Sequence, residues 1–264
     1  MLATLRNFIF GDEETNSLNK LPRATLDETN LRKLSSSEVD LIMRATLPEW
    51  ASVSAELARI HPIEDMKTGG VNPGDRRAVY YLMRSLRPVN VLEIGSHVGA
   101  STLHIAVGLK QNGAGDLTTV DIEDVNAPDG YWKRLRLVRS PADAISEIGM
   151  TSRVKFKTMP SITALAEPSS YDFIFLDGDH AAATVYVELQ LALRRLRPNG
   201  MILLHDYFPD AKPLWNNNQP IHGPFLACSR MKREGAAFNI VPLGALPWPT
   251  KLGSNVTSLA IIAR

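Results

Sequence analysis

Apolar positions along the chain first follow a helical period and then alternate between strand-like and helical runs. Val39, Ile42 and Met43 share a face behind Ser35-Ser36-Ser37-Glu38, where Ser35 and Glu38 stand at capping-box spacing, so a helix starts there and Pro48 interrupts it. A second helix is expected from Trp50 to Ile60, stopping before Pro62, and a third from Asp75 to Leu86. Val89, Val91, Leu92 and Ile94 then form a short apolar run after Arg87-Pro88, as in a strand buried on both faces. Gly95 and Gly99 lead into a helix from Ser101 to about Gln111, which Asn112-Gly113-Ala114-Gly115 stops. Leu117 to Asp121 reads as the second strand, Pro141 to Ile148 as a helix and Val154 to Lys157 as the third strand.

The alternation continues to the end. Tyr171 to Leu176 is a buried strand, and Val185, Leu189 and Leu193 mark one face of the helix after it, with Leu196 near its end. Arg197-Pro198-Asn199-Gly200 turns the chain into the strand Met201 to Leu204. A helix from Pro224 to Glu234 precedes two final strands, Phe238 to Val241 and Ser258 to Ile262. Strands alternating with helices predict an α/β fold around a mostly parallel sheet.

Composition narrows the picture. A chain of 264 residues with 44% hydrophobic residues can bury a substantial core in one enlarged α/β domain with a helical extension. The net charge of +1 comes from nearly equal acids and bases, so no nucleic-acid or membrane partner is indicated. The single Cys228 excludes an intrachain disulfide and a cysteine-based metal cage. The apolar stretch Leu2 to Phe10 is too short for a signal segment and no run reaches membrane-spanning length, so a cytoplasmic protein is expected. Residues 1–74 read as an arm and helical extension, and residues 75–264 as the main domain. The arm, up to about Leu34, is expected to pack on a partner subunit or to stay loosely ordered. The run Lys133-Arg134-Leu135-Arg136 reads as a solvated helix face.

Candidate chemistry lies at strand ends. Strand, glycine turn and helix from Val89 to Thr102 open a nucleotide-binding βαβ unit, since glycine lets the backbone approach a ligand and the helix N-terminus offers free N–H groups. A dinucleotide fingerprint would read G-x-G-x-x-G, but Ser96-His97 stands where its second glycine would be. Asp121 ends a strand about twenty residues beyond the turn, where an acid can bond ribose hydroxyls; capping a loop is its other reading. Two further strands end in Asp177-Gly178-Asp179-His180 and in His205-Asp206-Tyr207. Ligands of open parallel sheets bind at that edge, so Asp177 and Asp206 point to ligand or substrate contact. His180 suits a general base, because a neutral imidazole titrates near working pH; a helix cap is the alternative. His97, His104 and His222 read as packing or surface residues, and Trp215 and Trp248 as pocket walls or packing.

Taken together, Leu92-Glu93-Ile94-Gly95, Val120-Asp121, Phe175-Leu176-Asp177-Gly178-Asp179-His180 and Leu204-His205-Asp206-Tyr207 resemble the class I S-adenosylmethionine (SAM) dependent methyltransferases. The likeness is to small-molecule methyltransferases with D-G-D-H and H-D-Y elements, related to the catechol and macrolide-sugar O-methyltransferases, and covers Asp75 to Arg264. It implies a Rossmann-like, doubly wound sheet of seven strands, mostly parallel with an antiparallel last strand, and methyl transfer from SAM to a hydroxyl of a small molecule such as a sugar or secondary metabolite. In that family the acid at Glu93 helps to hold the methionyl ammonium. Gly95, Ser96, Gly99 and Ser101 belong to the turn beneath the cofactor. Asp121 is placed on the ribose, Met159 where the adenine is wrapped, and Asp177 beside the cofactor.

The same likeness implies metal and base positions. Asp177 and Asp206 fall on the metal carboxylates with His205 as a third ligand, although Tyr207 stands where the catechol enzymes have an asparagine. Mg²⁺ prefers oxygen ligands, so a histidine favours a transition ion or no metal. His180 matches the Asp-x-x-His spacing of the general base in the macrolide-sugar relatives, with Asp177 as its catalytic companion. Lys67 to Gly74 is expected as a cover over cofactor or substrate or as an ordinary turn between two helices, and the assembly as a homodimer. Three rivals stay open: an N-methyltransferase, a nicotinamide-dependent oxidoreductase, which lacks support from any Tyr-x-x-x-Lys pair, and a non-catalytic SAM-binding subunit.

Overall fold

All seven expected strands form: β1 (Asn90–Ile94), β2 (Asp116–Asp121), β3 (Val154–Thr158), β4 (Tyr171–Leu176), β5 (Leu196–Leu204), β6 (Asn239–Pro242) and β7 (Ala260–Ala263). In this computed structural model, which describes residues 12–26, 35–63, 70–216 and 220–263, they make one sheet in the order β3-β2-β1-β4-β5-β7-β6. β1 to β5 run parallel, and β7 lies antiparallel between β5 and β6. The fold is the Rossmann-like, doubly wound sheet expected above.

Helices cover both faces: α1 over residues 12–19, α2 (Ser36–Arg44), α3 (Trp50–Ile60), α4 (Pro73–Leu86), α5 (Ala100–Asn112), α6 (Tyr131–Arg134), α7 (Pro141–Glu147), α8 (Ser161–Ala166), α9 (Ala182–Arg195) and α10 (Gly223–Arg233). Alternation along the buried strands decides which residue meets which layer. Phe173, Phe175, Met201 and Leu203 face the layer of α2 to α5 and α7, whereas Ile174, Leu176, Ile202 and Leu204 face α8 to α10. α2 starts at the expected capping box, with Ser35 Oγ accepting from the Glu38 amide. Among the described residues no helix is long and apolar enough to cross a membrane.

Two expectations change. Leu196 to Gly200 is not a helix end and tight turn: the chain is already extended, Tyr171 pairs with Leu196, and a register shift leads to the Phe173–Met201 pair. Asn199, at φ 65°, takes the left-handed conformation that absorbs this irregularity. The described part of the arm packs on its own chain. Leu18 is buried in the α9–α10 layer, and Arg230 of α10 donates to the carbonyls of Leu18, Leu21 and Pro22. Tyr186 of α9 also donates to Pro22 O (2.9 Å), and the Ala24 amide donates to Glu234 (2.9 Å). A guanidinium satisfied by three backbone carbonyls fixes the segment more firmly than apolar contact alone. The expected cover Lys67 to Gly74 lies partly outside the described residues, which resume at Gly70.

The strand order positions the site. From β1 the chain winds outward to β2 and β3, then crosses back to β4 on the other side of β1. The crevice between the ends of β1 and β4 is the switch point at which such sheets bind ligands.

Candidate active site

Beyond β1 the backbone must turn sharply beside β4. Gly95 has φ 96°, and a Cβ there would stand 2.0 Å from Asp177 O, so only glycine fits between the two strand ends. The Gly95 amide donates to Val120 O (2.8 Å) and the Asp177 amide to Ile94 O (2.9 Å), which ties the ends of β1, β2 and β4 together. A cavity of about 680 Å³ opens over this junction. Gly95, Asp121, Met159, Asp177 and His180 line it, as do Ile122, Tyr131 and Ile162, which the sequence reading passed over. Its size suits a cofactor together with a small acceptor.

Asp121 is held by backbone. Its Oδ2 accepts from the His97 amide at 2.8 Å and its Oδ1 from the Glu123 amide at 3.1 Å, leaving further lone pairs for hydroxyl donors. His97 is not a bystander: its φ of 43° aims its N–H at Asp121, and its ring packs 4.7 Å from that of Tyr131 on the cavity wall. Its position between the two glycines of the turn was the available signal. The basic run contributes a single helical turn, with Arg134 paired to Glu123 at 2.8 Å and stacked over Tyr131.

The remaining residues of the turn lie behind this wall. Glu93 is fully buried, and its Oε2 accepts from Thr102 (2.5 Å) and Thr119 (2.6 Å). Burial pushes its carboxyl up to about 7, against the pull of the surrounding hydroxyls. Ser96, whose hydroxyl meets that of Thr119, and Ser101 are buried there too, while Gly99 caps α5 in the left-handed conformation. Glu93, Ser96, Gly99 and Ser101 therefore shape the turn from behind rather than forming the cavity surface. Trp248 and Trp215 are packing residues: Trp248 donates to Gly74 O and stacks on Arg77 and Tyr81, and Trp215 meets Phe208.

At the ends of β4 and β5 the side chains hold one another. His205 is largely but not wholly buried, with Nδ1 2.8 Å from Asp177 Oδ1 and 3.6 Å from Asp206 Oδ2, and Nε2 3.4 Å from Asp75 Oδ2. Burial alone would lower its pKa, but the carboxylates of Asp177 and Asp206, with Asp75 behind, raise it well above the usual histidine range. His205 lies outside the group whose ligating atoms converge and, with its pKa raised, offers a positive charge to the three acids around it. Asp75, fully buried in α4, was missed because Thr257, which donates to it at 2.5 Å, and His205 come from distant elements; Asn72, the N-cap of α4, donates to it at 2.6 Å.

The side chains that do converge are Asp177, His180 and Asp206, whose ligating atoms all lie within 4.8 Å of one another. His180 Nε2 stands 3.6 Å from Asp206 Oδ2, and 39% of its side chain is exposed toward the cavity mouth. Burial would raise the Asp206 carboxyl, but His205, His180 and Lys251, with the Ser258 hydroxyl, hold it below the usual carboxylate range. Asp206 also has φ 52°, strain that a non-glycine residue keeps only where its surroundings impose it.

Comparison with known proteins bears on the domain and the fold. Residues 92–207 match a family model described as a methyltransferase domain. A catechol O-methyltransferase of Niastella koreensis is 28% identical over 153 residues, covering 56% of this chain and 62% of that protein. An inferred O-methyltransferase of Mycobacterium sp. (strain JLS) is 30% identical over 145 residues, covering 53% and 59%. The chain thus spans about 60% of the length of these curated relatives. Among solved structures, an O-methyltransferase from Bacillus cereus in complex with SAH superposes with a TM-score of 0.56 at 17% identity, over 86% of this chain and 96% of that one. Residues 92–207 are therefore similar to a methyltransferase domain, and the fold is shared with the solved O-methyltransferase structure.

Proposed function

From that domain as premise, we propose that the chain transfers a methyl group from SAM to a hydroxyl of a small molecule, with residues 75–264 as the catalytic domain and 1–74 as its extension. One observation carries the reading: a single cavity at the switch point is lined both by the acid that ends β2, Asp121, and by the Asp177–His180 link. Asp121 keeps free acceptor capacity for ribose hydroxyls, and the half-exposed apolar residues Met159 and Ile162 flank the place for an adenine ring. Bound SAM supplies an activated methyl group.

What the protein must add is direction and a proton acceptor. His180 stands at the cavity wall to take the hydroxyl proton as the new carbon–oxygen bond forms and the sulfur–carbon bond breaks. Asp206, close to His180 Nε2, balances the imidazolium that results. The same three residues offer a second reading. Asp177, Asp206 and His180 suit a divalent cation, and one imidazole among carboxylates favours a first-row transition ion over Mg²⁺. Such an ion would lower the pKa of the acceptor hydroxyl and fix its direction.

Calorimetric titration with S-adenosylhomocysteine, in EDTA and again with Mn²⁺, tests the proposal. Binding in both conditions is expected, and mass spectrometry after incubation with SAM and catechol, chosen from the name of one relative, should find a methyl ether. A heat that appears only with Mn²⁺ would favour the metal reading. Absence of binding in either condition would remove the methyltransferase assignment and return the nicotinamide rival to first place.

A further inference from the structure

α9 begins without a cap of its own. Its N-cap residue is Ala181, which has no side-chain oxygen, so the free amides of the first turn must find acceptors elsewhere. Asp179 supplies one, with Oδ1 accepting from the Ala181 amide at 3.0 Å and Oδ2 from the Thr184 hydroxyl at 2.7 Å. The next amide, that of Ala182, donates to Glu14 Oε2 at 2.8 Å, a partner 168 residues away in sequence. Glu14 lies in α1, on the arm. His180 lies two residues before Ala182, in the link that leaves β4 and enters α9. α10 closes the other side of that link: a Cβ at Gly223 would stand 1.8 Å from His180 O and 2.9 Å from Glu14 Oε2, so glycine is what lets the helix end approach.

Glu14 is half-buried. Burial raises its carboxyl; the Ala182 amide, His222 and His180 pull it down, and Asp179 opposes them. A carboxylate would not be kept in that setting merely to fasten the arm, which is fastened elsewhere. Arg230 takes the carbonyls of Leu18, Leu21 and Pro22, Glu234 takes the Ala24 amide, and Arg194 takes Thr25 O. Losing the Glu14 carboxylate therefore leaves the arm docked and frees one place only, the start of α9.

We propose that Glu14 is a positioning residue for His180: the arm supplies the cap that α9 lacks and so fixes the link on which His180 is mounted. The inference rests on the reading of His180 as the base. It makes the arm part of the catalytic apparatus rather than an appendage, and it gives Gly223 a role as the gap through which α10 locks the same link.

The test compares Glu14→Ala, Glu14→Gln and Arg194→Ala in the full chain, first with no cofactor present. Amide hydrogen exchange reads Ala182, and nitrogen-15 spectra read the His180 ring, assigned by its loss in His180→Asn. In Glu14→Ala the Ala182 amide should exchange about fivefold faster and the His180 ring signals should shift or broaden. Methyl transfer to catechol should fall about tenfold in kcat, with KM and S-adenosylhomocysteine affinity within about twofold of wild type. Glu14→Gln keeps an acceptor oxygen and should restore all of these, and Arg194→Ala, which loosens the arm only at Thr25, should move none. Unchanged exchange and ring signals in Glu14→Ala would overturn the proposal, as would equal losses in Glu14→Gln or changes that track melting temperature across all three variants. Exchange and ring signals need neither acceptor nor cofactor, so a wild type without methyl transfer would count against the proposed function while these two readouts still decide for Glu14.

Discussion

The acid that ends β2 and the pair that follow β4 and β5 sit at one edge of the sheet, yet they are held by opposite means. Asp121 accepts from two backbone amides, so its position depends on the course of the chain and on no other charge. Asp177 and Asp206 are held by histidines, one largely buried and one at the cavity wall, and Asp75 shares the first. The first arrangement is rigid and indifferent to what its neighbours carry, which suits binding. The second is a cluster of ionisable side chains within a few ångströms of one another, which suits proton transfer and makes it vulnerable to any single loss.

The sharpest way to separate the two is to remove the base. His180→Ala should lower kcat by about 10²- to 10⁴-fold while S-adenosylhomocysteine affinity stays near wild type, since His180 belongs to that cluster and not to the ribose end. Steady-state kinetics and calorimetry on one preparation check both halves. A variant that turns over normally would make His180 a cap of α9 and nothing more. Next in size is the loss of His205. His205→Leu removes the imidazole that stands among Asp75, Asp177 and Asp206, and should cost about 3–5 kcal/mol in denaturant unfolding. A loss below about 1 kcal/mol would mean that the acids are protonated or hydrated rather than balanced by His205.

Glu188 of α9 supplies a third condition, a buried acid with neither full backbone support nor a cation. It is 2% exposed, and burial raises its carboxyl to about 7, with the Ser161 hydroxyl pulling it down and Asp179 pushing it up. Because the folded-state value lies above the ordinary one, folding favours the protonated form. Its stabilising share is full below about pH 4.5 and is lost as pH rises through about 7. Glu188→Gln should therefore leave stability near wild type at pH 4.5 and raise it at pH 8 by about 1–3 kcal/mol, read from urea midpoints at the two values. Equal midpoint shifts at both would show that burial alone does not govern this group.

How much of this was legible in the sequence follows from the range of each interaction. Apolar runs and the glycine turn are local, and the rule that ligands gather at strand ends converts them directly into a site, so Asp121, Asp177, His180 and Asp206 could be named from spacing. His205 was placed among the metal ligands by the family resemblance, beside Asp177 and Asp206. The carboxylates that raise its pKa come from three places in the chain: Asp177 after β4, its neighbour Asp206, and Asp75 in α4. Glu14 was invisible for the same reason, since nothing near residue 14 announces that α9 lacks a cap. The segment 196–200 was misread because Pro198-Asn199-Gly200 is turn chemistry, whereas pairing of Leu196 with Tyr171 keeps the chain extended.

The smallest expected effect falls on the ribose end and bears most directly on what that end is for. If Asp121 accepts from a ribose hydroxyl, Asp121→Ala should weaken S-adenosylhomocysteine binding about tenfold, the worth of one hydrogen bond to a charged acceptor, with kcat at saturating SAM within about twofold of wild type. The Ala variant alone is not decisive, because it also leaves the amides of His97 and Glu123 without their acceptor and can loosen the turn. Asp121→Asn separates the two contributions. Asparagine keeps a carbonyl oxygen for one of the two backbone amides, so the melting temperature should return part of the way toward wild type. It lacks the charge that strengthens a bond to a hydroxyl, so affinity should recover only in part. An Asn variant that binds as tightly as wild type would reduce Asp121 to a cap on its own loop, and the ribose would then have to be held by backbone groups of the glycine turn.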